Sequence, residues 1–153
     1  MFLMGVADMK VTIGSDHGAV NLKEEIKKVL TEMKIEIDDV GTFGNEAVDY
    51  PDIAEKVADS VVNGRADKGI VLCGTGIGIS IAANKIKGVR AALCHDVFSA
   101  KMSREHNDAN ILAMGERVIG VGPACEIVKA WLTSEFTGDR HARRVNKIMA
   151  LEK

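Results

Sequence analysis

The sequence predicts an α/β fold: a three-layer α/β/α, Rossmann-like domain built on a five-stranded parallel sheet. Two observations predict it. Short apolar runs alternate with segments of helical periodicity from Met9 onward, the pattern of strand–crossover–strand units with right-handed connections. The runs themselves show little in–out alternation, the mark of strands covered on both faces.

Taken in order, "KVTIGS" (10–15) is the first strand. Leu22, Ile26, Val29, Leu30 and Met33 then recur on one helix face. "IEIDDVG" (35–41) is the second strand, followed by a loop rich in Gly and Asn. In "DYPDIAEKVADSVVNG", Pro51 suits a first helical position and Asn63-Gly64 a C-terminal cap. Ile53, Val57, Ala58 and Val61 form its buried stripe. "GIVLC" (69–73), "RAALC" (90–94) and "NILAMG" (110–115) supply the remaining strands. Further helices are expected over about 79–86, 96–106, 123–134 and 139–151, with Pro123 in a first turn. Residues 9–153 thus read as one domain and residues 1–8 as a disordered extension. The order of strands in the sheet does not follow from this pattern.

Composition closes off several function classes. Net charge is −2 and aromatics make up 4% of the chain, so neither a basic track nor a base-stacking surface for nucleic acid is present. The 46% apolar and 27% charged fractions are those of an ordinary globular domain. No apolar run approaches the roughly 18 residues of a membrane helix. The opening "MFLMGVADMKV" has no basic region before its apolar residues, so no secretory signal is expected. Three cysteines without paired spacing suit a reducing cytoplasm.

In open parallel sheets, ligands bind beyond the carboxyl ends of the strands. That rule selects Ser15–Gly18, Gly41–Asn45, Cys73–Ser80, His95–Ser99 and Gly115–Gly122. The glycines at 74, 76 and 78 miss the dinucleotide fingerprint, because Ile79 stands where its third glycine falls. The Gly-Lys-Ser/Thr ending of a nucleotide phosphate loop is absent too. What remains is either a tight turn or a nest of backbone N–H groups for an anion or a developing oxyanion. Cys73 and Thr75 beside it favour chemistry: a thiol at a strand end next to a helix start is where thiolate character is promoted.

Other polar residues stand out. Asp16 either caps the first helix or enters the cleft together with His17. His106 and Asn107 close a helix, where they either satisfy its carbonyls or serve a site. Cys94-His95-Asp96 are consecutive and lack a second ligand pair, so no metal is expected. Arg140 and Arg144 are four apart, on one helix face, which is either a solvated face or a bidentate grip on phosphate. With so few basic residues, one small phosphorylated metabolite is the economical ligand. The collected groups suffice for proton abstraction next to a carbonyl in a sugar phosphate, through an enediolate.

The stretches "SDHGAVNLK", "VDYPD", "LCGTGIGISIAANK", "SREHNDANIL" and "GDRHARRV" resemble the type B ribose-5-phosphate isomerases of the ribose/galactose isomerase family, in order over residues 9 to 151. The resemblance implies a cytoplasmic enzyme of the pentose phosphate pathway, needing no metal or cofactor, that interconverts D-ribose 5-phosphate and D-ribulose 5-phosphate. It implies a homodimer or homotetramer with sites at the dimer interface. By matched motif, Cys73 would move the proton between C1 and C2. Thr75 and His106 would open the sugar ring, and Asp16 would carry protons at the sugar oxygens. The amides of Gly74, Thr75, Gly76, Ile77 and Gly78 would hold the enediolate, and Asn107 would contact the sugar. His17, Arg117, Arg140 and Arg144 would bind phosphate. His106, Asn107 and Arg117 would come from the neighbouring chain. Some members replace the cysteine by a glutamate later in the loop; here that position is Ile79. Asp139 departs from the family's glycine before the Arg-His pair and would either weaken phosphate binding or cap the last helix. Alternatives are a hexose-6-phosphate isomerase of the same family, acting on allose or galactose 6-phosphate, and a non-enzymatic sugar-phosphate sensor.

Overall fold

The computed structural model describes residues 5–44 and 46–153. Its strands are β1 (Lys10–Ser15), β2 (Glu36–Asp39), β3 (Lys68–Cys73), β4 (Ala91–Leu93) and β5 (Ile111–Gly115). Its helices are α1 (Val20–Glu32), α2 (Tyr50–Val62), α3 (Ile77–Ala83), α4 (Val97–Glu105), α5 (Val121–Thr133) and α6 (Arg140–Met149). The strands form one parallel sheet in the order β2-β1-β3-β5-β4.

Successive residues of each strand face opposite layers. Ile70 and Leu72 of β3 pack with Val11, Ile13, Leu112 and Met114 against α1 and α5, around Ile26, Leu30, Ile127 and the buried Trp131. Trp131 satisfies its indole N–H on the Ser103 hydroxyl at 3.1 Å, which also ties α5 to α4. Val71 and Cys73 point the other way, into a cluster with Ile53, Val57, Ile79 and Ala113. The parity of β3 therefore decides which layer holds the thiol.

Element boundaries move by a few residues from the sequence expectation. The second strand ends at Asp39, because Gly41 turns the chain with φ +97°. α3 starts at Ile77, earlier than expected, and Pro123 is the third residue of α5. Asn63-Gly64 closes α2 as expected, with Gly64 at φ +75°. Residues 1–4 of the expected extension lie outside the described residues. Within the rest of it, Val6–Asp8 form a short 3-10 turn, and Val6 packs against the core.

Candidate active site

The sheet reverses its winding between β1 and β3, and that switch point brings two loops together. The Asp16 amide donates to the Leu72 carbonyl at 3.1 Å. The Asp16 carboxylate accepts from the Gly18 N–H at 2.9 Å, so it does cap the turn it opens. His17 Nδ1 accepts from the Val48 N–H at 3.2 Å. A neutral imidazole held this way carries its proton on Nε2, ready to donate. Asp16 and His17 line a cavity of about 530 Å³ with Val48, Asp49, Tyr50, Pro51 and Asp52.

Cys73 ends β3 with only 4% of its surface exposed. Its sulfur accepts from the Gly76 N–H at 3.1 Å. Gly76 is obligatory here. Its φ is +78°, and a Cβ would stand 2.6 Å from Leu93 Cδ1 and 2.7 Å from the Met114 carbonyl carbon. The Ile77 N–H donates to Thr75 Oγ1 at 3.2 Å. Two of the five amides expected to face an enediolate are therefore engaged within the loop. Tyr50 closes the loop from outside; a Cβ on Gly78 would come within 2.5 Å of its ring. The sequence marked "VDYPD" without giving Tyr50 a role, and only the fold brings its ring to the glycines.

The loop after β5 folds over the same place, since β5 is the neighbour of β3. Glu116 N–H donates to the Cys73 carbonyl and Arg117 N–H to the Gly74 carbonyl, each at 3.0 Å. The Arg117 side chain runs beside Gly74, where a Cβ would meet its Cδ and Nη1 at 3.5 Å. Arg117 thus lies beside the thiol loop of its own chain. The sequence expectation has it cross from a neighbour with His106 and Asn107; within one chain it stands beside Cys73 and Gly74, apart from that pair. At the same edge, the Gly115 N–H donates to His95 Nε2 at 3.0 Å, so His95 latches the end of β5.

A second group collects at the opposite edge. α4 starts beyond the carboxyl end of β4 and runs back across the sheet for nine residues, roughly 13 Å. His106 caps its end, its N–H bonded to the Met102 carbonyl at 2.8 Å. α6 crosses this edge, tied by the Thr137 N–H to the Glu105 carbonyl at 3.0 Å and by the Gly88 N–H to Glu152 at 2.9 Å. His141 on α6 stacks flat on His106, with ring centroids 4.0 Å apart. Loss of solvation, then the charges of His106, Arg140 and Arg144, push the His141 imidazole below its ordinary value. Asp139 gives α6 no side-chain cap and has φ +50°. Asn107 borders an open groove of about 620 Å³ with Arg90, Ile148 and Leu151. One chain therefore assembles Asp16, His17, Cys73, Thr75 and Arg117 at one edge, and His106, Asn107, Arg140 and Arg144 at the other.

Residues 11–148 match the family model described as Ribose/Galactose Isomerase. The chain belongs to the ribose/galactose isomerase family. Among members of that family, ribose-5-phosphate isomerase B of Escherichia coli is 49% identical, over 94% of this chain and 96% of its own length. A D-erythrulose-4-phosphate isomerase of Pectobacterium atrosepticum is 42% identical, over 92% and 93%. The solved ribose-5-phosphate isomerase B of Clostridium thermocellum superposes with a TM-score of 0.93 at 60% identity, over 94% of this chain and 97% of that one. This ribose/galactose isomerase shares the five-stranded parallel sheet with helices on both sides.

Proposed function

We propose that this isomerase interconverts D-ribose 5-phosphate and D-ribulose 5-phosphate through a cis-enediolate, without metal or cofactor. One observation carries the reading: a buried sulfur at the end of a central strand meets the Gly76 amide at 3.1 Å, across the switch point from Asp16. As thiolate, Cys73 takes the C2 proton of the open-chain aldose. The C–H electron pair becomes the C1=C2 bond, and charge moves to O1, where the loop amides stabilise it. Cys73 returns the proton to C1, while Asp16 carries the O2 proton to O1, leaving a carbonyl at C2. Ring opening comes first: His106, with Thr75, delivers a proton to the ring oxygen and relieves the anomeric hydroxyl of its own.

Because the two groups stand at opposite edges of one sheet, we assign them to different copies in a homodimer, alone or paired into a tetramer. His17 and Arg117 of one copy and Arg140 and Arg144 of the other grip the phosphate, and Asn107 contacts the sugar. Apolar side chains around the thiol edge support a second copy there: Ile77, Ile81 and Phe98 are 53%, 57% and 72% exposed. Three free cysteines support a reducing cytoplasm. The residues from Met9 to Lys153 act as one catalytic domain.

The test is turnover by the purified chain, with and without EDTA. Ribose 5-phosphate should be isomerised equally in both. Turnover of D-erythrulose 4-phosphate or of allose or galactose 6-phosphate instead would reassign the substrate. Binding of these sugars without turnover of any would make the protein a sensor.

A further inference from the structure

Lys23 lies in α1 with none of its surface exposed, an uncommon place for an ammonium group. Its Nζ donates to Asp39 Oδ1 at 2.8 Å and to the Thr42 carbonyl at 2.7 Å, and stands 4.4 Å from the centre of the Phe43 ring. Asp39 is shared. Its Oδ2 accepts from Lys27 at 2.8 Å and its Oδ1 from the Gly41 N–H at 2.9 Å. Burial pushes the Asp39 carboxyl up, but the hydrogen bonds from Lys23, Lys27 and Gly41 outweigh it and hold the group below its ordinary value.

A buried ion pair is a poor source of stability, because a well-packed apolar pair of similar volume does as well or better. What the ammonium adds is a grip on a backbone carbonyl. The gripped segment is the one that clasps the site. Thr42 N–H donates to the Ser15 carbonyl, and Ser15 N–H to the Gly41 carbonyl, both at 2.7 Å. Ser15 immediately precedes Asp16 and His17, and the same loop returns to His17 through the Val48 N–H. We propose that Lys23 is a positioning residue for the phosphate end of the site, fixing the β2–α2 loop so that it holds His17 in place. The proposal rests on the reading of His17 as a phosphate ligand.

Lys23→Met keeps most of the side-chain volume and removes the ammonium. It should raise KM for ribose 5-phosphate on the order of tenfold, with kcat within about twofold, and weaken competition by inorganic phosphate in parallel. Lys27→Met removes a partner of Asp39 without touching Thr42, and should keep the wild-type KM. His17→Ala separates the two ideas. If it leaves KM unmoved, the reading of the site fails. If it raises KM while Lys23→Met does not, or if Lys23→Met lowers kcat alone, the positioning role is overturned. Should Lys23→Met not fold, Phe43→Ala decides, since Phe43 is 70% exposed and outside the core. Uncovering the ammonium should raise KM roughly threefold with kcat kept; a wild-type KM would overturn the proposal.

Discussion

The His106 ring lies parallel to that of His141, the two planes inclined by only 7°. Loss of solvation, then the charges of His106, Arg140 and Arg144, oppose protonation of His141. His141 is accordingly held below the ordinary value of 6.5. In the unfolded chain it takes up its proton first as pH falls. Its neutral form therefore contributes stability above that value, and the contribution is lost as pH falls through it toward the folded value. His141→Phe keeps an aromatic stack and cannot titrate. Between about pH 7.5 and 5.5 its Tm should fall less steeply than that of the wild type. Parallel slopes in a thermal-denaturation series would disconnect His141 from acid sensitivity.

Cys73→Ala should reduce kcat by at least about a thousandfold while sugar-phosphate affinity, measured by calorimetry, stays near the wild type. Burial pushes the thiols of Cys94 and Cys125 up, which keeps them protonated and slow toward alkylating reagents. Inactivation by iodoacetamide should thus map to Cys73 in peptide mass spectra, and bound substrate should slow it. Near-wild-type turnover by the alanine variant would remove Cys73 from the chemistry.

Arg140→Ala and Arg144→Ala should each raise KM for ribose 5-phosphate by about ten- to a hundredfold, the worth of a charge-assisted hydrogen bond of roughly 1.5–3 kcal/mol. An unchanged KM in both steady-state assays would leave the pair as a solvated face.

Subunit mixing tests how the site is divided. Cys73→Ala and His106→Ala chains, exchanged into mixed dimers, should regain activity, because one of the two sites then has both halves intact. Cys73→Ala mixed with Arg144→Ala should recover likewise. Cys73→Ala mixed with Arg117→Ala should not, since both changes fall on the same half. Recovery in that last mixture, with heterodimers confirmed by native mass spectrometry, would return Arg117 to the partner's half.

The layers of the fold and the thiol edge were legible because they depend on local order. The short apolar runs, the glycines after Cys73 and the spacing of Leu22, Ile26 and Val29 are all short-range signals. The strand order was not, since β5 reaches its place beside β3 only after β4 has formed the edge. For that reason the sequence did not place Arg117 beside Cys73. His141 was given no role because its stack on His106 spans 35 positions of chain. Lys23 was given none because a lysine in an amphipathic helix reads as surface, and nothing nearby in sequence announces Asp39 and Thr42 as its partners.

The length of α4 carries a consequence for kinetics. On the proposed division of the site, α4 sets its two halves at opposite edges of the sheet, and a lone folded chain should then be chemically silent. The rate law then contains an association equilibrium. Below the dimer dissociation constant, velocity should follow the square of the chain concentration. A sugar phosphate bridging both copies would favour assembly, so a progress curve begun by steep dilution should hold its rate better when substrate is already in the diluent.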